Sequence, residues 1–330
     1  MTSSEVLDAS LRLYQRRGLT FLRLSAVPTI FCLAAITFVI VYVLPALGTT
    51  KNATDIGVQT GEVAIRLALA VFIGGPLFLV GLTYATIMVV KVTSEDIEGR
   101  ECSDREAEQT AQRLLGRMFW LNMRELLYST SGIIVATAIL LSGSLITMVT
   151  PESSPVAGLV AVVGLIGFAV GGLIFLSVIS RDAVAVPCAV IEDLGAKQAG
   201  KRSRALLSLP KTKNPYVIKH GNGYGNIWNV YFLMAMLGTA SYASIAGAFE
   251  LTGIQDALTG NMSTGLVKTV IESLITLLPV YLTLWALIPI WATTITLVYY
   301  ERRIRLEGFD IESLARPLKS SHDRANRFNV

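Results

Sequence analysis

Six stretches without a single Asp, Glu, Lys or Arg constrain this chain more than anything else in it: Leu24–Thr50, Leu67–Val90, Leu126–Thr150, Ser153–Ser180, Gly221–Phe249 and Ser273–Tyr300. Each exceeds the roughly 20 helical residues that cross a hydrocarbon core of about 30 Å. With 52% hydrophobic and 16% charged residues over 330 positions, most of the chain has lipid as its solvent. A transmembrane barrel would show segments of about ten residues in strict alternation, which these solid apolar runs lack. The expected fold class is an all-α integral membrane protein with six transmembrane helices.

Six spans leave seven flanking segments, and alternation puts residues 1–23, 91–125, 181–220 and 301–330 on one side. Of the 28 Lys and Arg residues, only Lys51, Arg66 and Lys268 fall elsewhere. This bias predicts cytoplasmic N- and C-termini. The net charge of +4 is then a consequence of the insertion rule, with anionic headgroups as the nearest partners and no nucleic acid implied. No apolar run precedes Arg23, so a cleavable secretory signal is not expected. Cys32, Cys102 and Cys188 have neither CxxC spacing nor an oxidising location, and reduced thiols are expected.

The segment ahead of each odd-numbered span has a common layout, a short amphipathic helix leading into an apolar hairpin. In the first, Leu7, Leu11, Tyr14, Gly18 and Phe21 recur at steps of three and four, with Asp8, Arg12, Gln15 and Arg16 opposite. The second opens on Ser103-Asp104-Arg105-Glu106, a capping-box spacing, and continues in an Ala107, Ala111, Leu114, Met118, Leu121 stripe. Arg113, Arg117 and Arg124 flank that stripe and can extend to headgroup level, which suits a helix at the membrane interface. The third, near Ile191 to Leu209, is cut by Pro210 and Pro215. The expected organisation is three hairpin repeats, each preceded by a cytoplasmic amphipathic helix: residues 1–93, 94–181 and 182–312, then a tail over 313–330.

Three segments carry a family likeness: Ala185-Val186-Pro187-Cys188-Ala189-Val190-Ile191-Glu192-Asp193-Leu194-Gly195, Ala199 to Leu206, and Tyr299-Tyr300-Glu301-Arg302-Arg303-Ile304-Arg305-Leu306-Glu307-Gly308-Phe309-Asp310. They resemble the bacterial glycerophosphoryl diester phosphodiesterase membrane-domain family, with its VPxxxxExxG stretch, AxxRS helix and closing YYxxRxRxEGFD. The resemblance implies the membrane part alone, in the bacterial cytoplasmic (inner) membrane. A phosphodiesterase barrel needs about 250 residues, which the segments outside the spans do not supply.

Catalytic chemistry has little to work with. The two histidines, His220 and His322, lie in basic flanks, and HExxH, GxSxG and GxGxxG do not occur. No catalytic residue, cofactor or metal is expected. The acidic residues Glu95, Asp96, Glu98, Glu192 and Asp193 adjoin basic helices and are expected to be solvated, paired charges. Thr83, Tyr84, Thr86, Ser241, Tyr242, Tyr281 and Thr283 either line a passive path or make interhelical hydrogen bonds. Gly167 and Gly171 form a GxxxG that permits close helix approach. Contacts with anionic lipid are expected at Arg113, Arg117, Lys201, Arg202, Arg204, Lys211, Lys213, Lys219 and His220, the last four beside glycine turns suited to anion binding. The expected function is a non-enzymatic, lipid-contacting scaffold or accessory subunit of a membrane complex, with a protein partner or homo-oligomer. The alternative is a passive lipid or small-solute transporter or channel.

Overall fold

The computed structural model describes residues 3–42, 70–149, 154–208, 223–252 and 266–307. Every regular element among them is helical. α1 runs over Ser3–Tyr42, and a single π-helical turn, Ala70–Gly74, leads into α2, Gly75–Ile97. α3 covers Asp104–Val149, α4 Ser154–Arg181, α5 Ala185–Ile191 and α6 Ala196–Leu207. α7, Gly223–Thr252, and α8, Leu266–Glu307, complete the set.

Among the described residues, five helices are long and apolar enough to cross a membrane, within Ser4–Phe38, Phe72–Ile97, Val162–Ile191, Ile227–Glu250 and Leu277–Glu307. The expected sixth apolar stretch, Leu126–Thr150, falls in the second half of α3, where many side chains lie outside the described residues.

Two of the amphipathic segments run into the following apolar stretch without a break in the helix. The amphipathic segment at residues 7–21 and the apolar run after it are one 40-residue helix, and α3 likewise joins both halves in 46 residues. At 1.5 Å per residue these helices are about 60 and 69 Å long, about twice the hydrocarbon thickness. The expected start of α3 is observed: Glu106 N–H donates to Ser103 Oγ at 3.2 Å, so Ser103 caps the helix.

The apolar stripe of α3 is also buried where it was expected to meet headgroups. Ala107, Ala111, Leu114, Met118 and Leu121 join Val6 and Phe21 of α1, Ile87 to Val90 of α2, α5, and Val298 to Tyr300 of α8 in one core. That core lies at the basic end of the bundle. α1, α2 and α8 pack on one another, α3 and α4 adjoin them on the α2 side, and α7 adjoins α8.

Glycines permit two close helix crossings. A Cβ on Gly81 would lie 2.4 Å from Pro28 O and 2.9 Å from Cys32 Sγ, so α2 meets α1 backbone to backbone. A Cβ on Gly132 would lie 3.0 Å from Gly171 Cα, so the second glycine of the GxxxG receives α3 of the same chain. Polar contacts hold α8 to α1: Trp285 Nε1 donates to Leu22 O at 2.7 Å and Thr294 Oγ1 to Ser10 Oγ at 3.0 Å.

Candidate functional site

Charged side chains gather where the helices end at the basic pole, and they do so in matched sets. The first is built on Glu192, the C-cap of the short helix α5. Asp193 follows with φ +51°, a left-handed conformation that Asp tolerates better than most residues, and it turns the chain toward α6. Burial of Ala199, Ser203, Leu206 and Leu207 seats α6 and directs Arg202 back at α5.

Arg202 Nε lies 3.0 Å from Glu192 Oε2, while its terminal nitrogens reach Glu307 at 2.5 and 2.6 Å. Tyr299 donates its hydroxyl to Glu192 Oε1 at 2.7 Å and accepts from Arg303 Nη1 at 3.0 Å. Arg303 Nε stands 3.6 Å from Glu307 Oε2. The hydrogen bond to Glu307, followed by the charge of Glu192, pushes the Arg202 pKa above its ordinary value. Two cations thus face two carboxylates, and the planar guanidinium fork of Arg202 joins α5, α6 and α8.

A second set sits where α3, α4 and α6 meet. Arg204 donates to both oxygens of Asp182, at 2.8 and 2.6 Å, and the Asp182 side chain is only 2% exposed. Gly200 lets α6 lie close to this carboxylate, with a Cβ there 3.6 Å from Asp182 Oδ1. Glu125 stands beside Asp182. Its buried Oε1 meets no donor when ionised, and burial first, then hydrogen bonding to Asp182, lifts its pKa to about 9. As a neutral acid it can donate to Asp182. Tyr231 of α7 closes this region by donating to Ile179 O at 3.3 Å.

The third set fastens α1 and α8 to the end of α2. Arg17 pairs with Asp96 at 2.9 Å, Glu95 takes Lys91 and Arg100 at 2.5 Å each, and Tyr300 donates to Glu98 at 3.1 Å. These carboxylates lie at a helix C-terminus, where the macrodipole disfavours them, so neighbouring cations supply the compensation. Gly99, at φ +72°, ends α2 with bonds from its own N–H to Asp96 O and from Arg100 N–H to Glu95 O. This is a Schellman cap.

No family model, curated protein or solved structure matches this chain. Of the expected lipid contacts, Arg202 and Arg204 are tied to internal carboxylates, and Arg113 pairs with exposed Asp193 at 3.2 Å. Lys201 and Arg117 are exposed. Lys211, Lys213, Lys219 and His220 lie outside the described residues.

The segments 185–195, 199–206 and 299–310 converge, since they supply Glu192, Arg202, Tyr299, Arg303 and Glu307. The Glu125–Asp182 pair was not anticipated. Its only sequence signal is an Arg–acid dipeptide, Arg124-Glu125 or Arg181-Asp182, at the edge of each of two apolar runs. Among the candidate path residues, Thr83 accepts from Asn122 of α3 at 2.8 Å, and Thr86 and Thr283 bond carbonyls of their own helices. Those three hydroxyls serve helix packing.

Proposed function

We propose that this chain is a non-enzymatic integral membrane scaffold or accessory subunit, related to the membrane part of the glycerophosphoryl diester phosphodiesterase family. In this reading six spans form three hairpins in the bacterial cytoplasmic membrane, with both termini in the cytoplasm. The carrying observation is the two-against-two match inside the Glu192 cluster, where Glu192 and Glu307 face Arg202 and Arg303. A pocket for an anionic substrate would hold surplus cations, whereas a balanced set fastens helices.

The outer faces supply the contact surface. Only 12% of the apolar window of α4 and 6% of that of α7 is buried within the chain. Such faces are satisfied by lipid tails or by another membrane helix.

Reconstitution in phosphatidylglycerol vesicles tests this reading. Solute efflux, lipid flipping and release of glycerol phosphate from glycerophosphodiesters should all equal those of protein-free vesicles. Efflux or flipping above that level would replace the scaffold with a passive transporter. Glycerol phosphate release would replace it with a hydrolase.

A further inference from the structure

An apolar groove of about 300 Å³ runs between α3 and α4, lined by Gly132, Val135, Ile139, Gly167, Val170 and Ile174. It exists because glycines bring the helices together while leaving no side chain to fill the seam. Val135 and Val170 on its rim are 59% and 49% exposed, so it opens outward from the bundle. Its volume is at the small end of ligand sites and suits a length of one chain, not a compact molecule.

The chemistry at one end of the groove decides what fits. On α3, Val135, Ser131, Tyr128 and Arg124 are spaced as i, i−4, i−7 and i−11. On α4, Val170, Ile174, Ser177 and Arg181 follow i, i+4, i+7 and i+11. All eight side chains are exposed. Each series is a single helical face, so both arginines stand above the groove, about 16 Å from Val135 and Val170. That separation is about half the hydrocarbon thickness, the depth an acyl chain reaches below its headgroup. The acids next to them in sequence do not cancel this charge. Asp182 is held by Arg204, and Glu125 is kept neutral at pH 7 by burial and by Asp182.

We infer that this groove holds one acyl chain of an anionic phospholipid, whose phosphate is bound by Arg124 and Arg181. This rests on the membrane reading above and gives its lipid contact a defined place. Phosphate suits paired guanidinium groups, and Ser177, one turn below Arg181, offers a hydroxyl near the level of the ester carbonyls.

Native mass spectrometry of the full chain in mild detergent, titrated with phosphatidylglycerol or phosphatidylcholine, tests it. Wild type should retain phosphatidylglycerol preferentially. Arg124→Gln with Arg181→Gln should lower that preference about tenfold or more, since each cation contributes independently at a headgroup. Val170→Trp, which fills the groove from an exposed position, should lose both lipids while keeping its helicity and elution volume.

Retention of the full preference in the double arginine variant overturns the inference. If Lys201→Gln with Arg117→Gln abolishes the preference instead, the inference is likewise overturned, and lipid contact persists only in the wider scaffold reading at another place. Val170→Trp converting a dimer to a monomer with lipid retained would also overturn it, because a second copy of the chain would then be the occupant. The efflux and turnover measurements above do not depend on this groove, so failure here leaves the scaffold reading to stand or fall on them.

Discussion

Gly81 is where a single methyl group would do most harm. A Cβ there would overlap Pro28 O at 2.4 Å and Cys32 Sγ at 2.9 Å, and a backbone carbonyl cannot swing aside as a flexible side chain can. Gly81→Ala should therefore cost about 1–3 kcal/mol, the usual scale of overpacking. Thermal unfolding in detergent should show its midpoint falling, whereas Gly116→Ala should hold or raise it. A methyl group on Gly116 would have open space within 4 Å, and the residue lies in a helix, where Ala is the better former.

Glu125 makes a prediction in pH. Its folded pKa is raised from 4.5 to about 9, so the folded state holds a proton that the unfolded chain releases near 4.5. Its stabilising contribution is thus complete below about pH 4.5 and is lost progressively as pH rises toward 9. Asp182 in the turn after α4, Arg204 from α6, Arg124 on its own helix and Tyr231 of α7 are the groups that face it. Glu125→Gln, permanently neutral, should raise the midpoint relative to wild type at pH 8.5 by more than at pH 5. An equal difference at both values would show that Glu125 does not titrate in this window.

Among the elements, α6 depends most on charge. It is twelve residues long, near the length at which an isolated helix is marginal, and Arg202 and Arg204 anchor it to α5, α8 and Asp182. Arg204→Met leaves the buried Asp182 carboxylate without its two donors and should destabilise by about 2–3 kcal/mol. Asp182→Asn combined with Arg204→Met should recover much of that loss, because no uncompensated charge remains. Faster hydrogen exchange confined to residues 196–207 in the single variant, reversed in the double, is the expected readout. The stripes of α1 and α3 were legible at this scale from periodicity. Their destination was not, since a stripe facing headgroups and a stripe facing other helices have the same spacing.

Across the bundle as a unit, the proposed topology makes the segment around Ser263 external and the segment around Ser320 cytoplasmic. A single cysteine at Ser263, in a background lacking Cys32, Cys102 and Cys188, should react with a membrane-impermeant maleimide on intact cells. One at Ser320 should react only after lysis. Reversed labelling would invert the orientation inferred from the basic residues.

Lipid as the solvent and helix as the secondary structure were both legible in the order of residues alone. Charge-free runs long enough to cross lipid can satisfy their backbone only as helices, and Ser103 with Glu106 marks the first turn of α3 whatever the helix later touches. Which apolar faces meet protein, and which carboxylates meet which cations, emerged only from the packing of the helices. Glu192 and Glu307 are 10 and 105 residues from Arg202 along the chain, and both hydrogen-bond to it in space. Such pairings depend on how distant helix ends are brought together, and no local spacing encodes that.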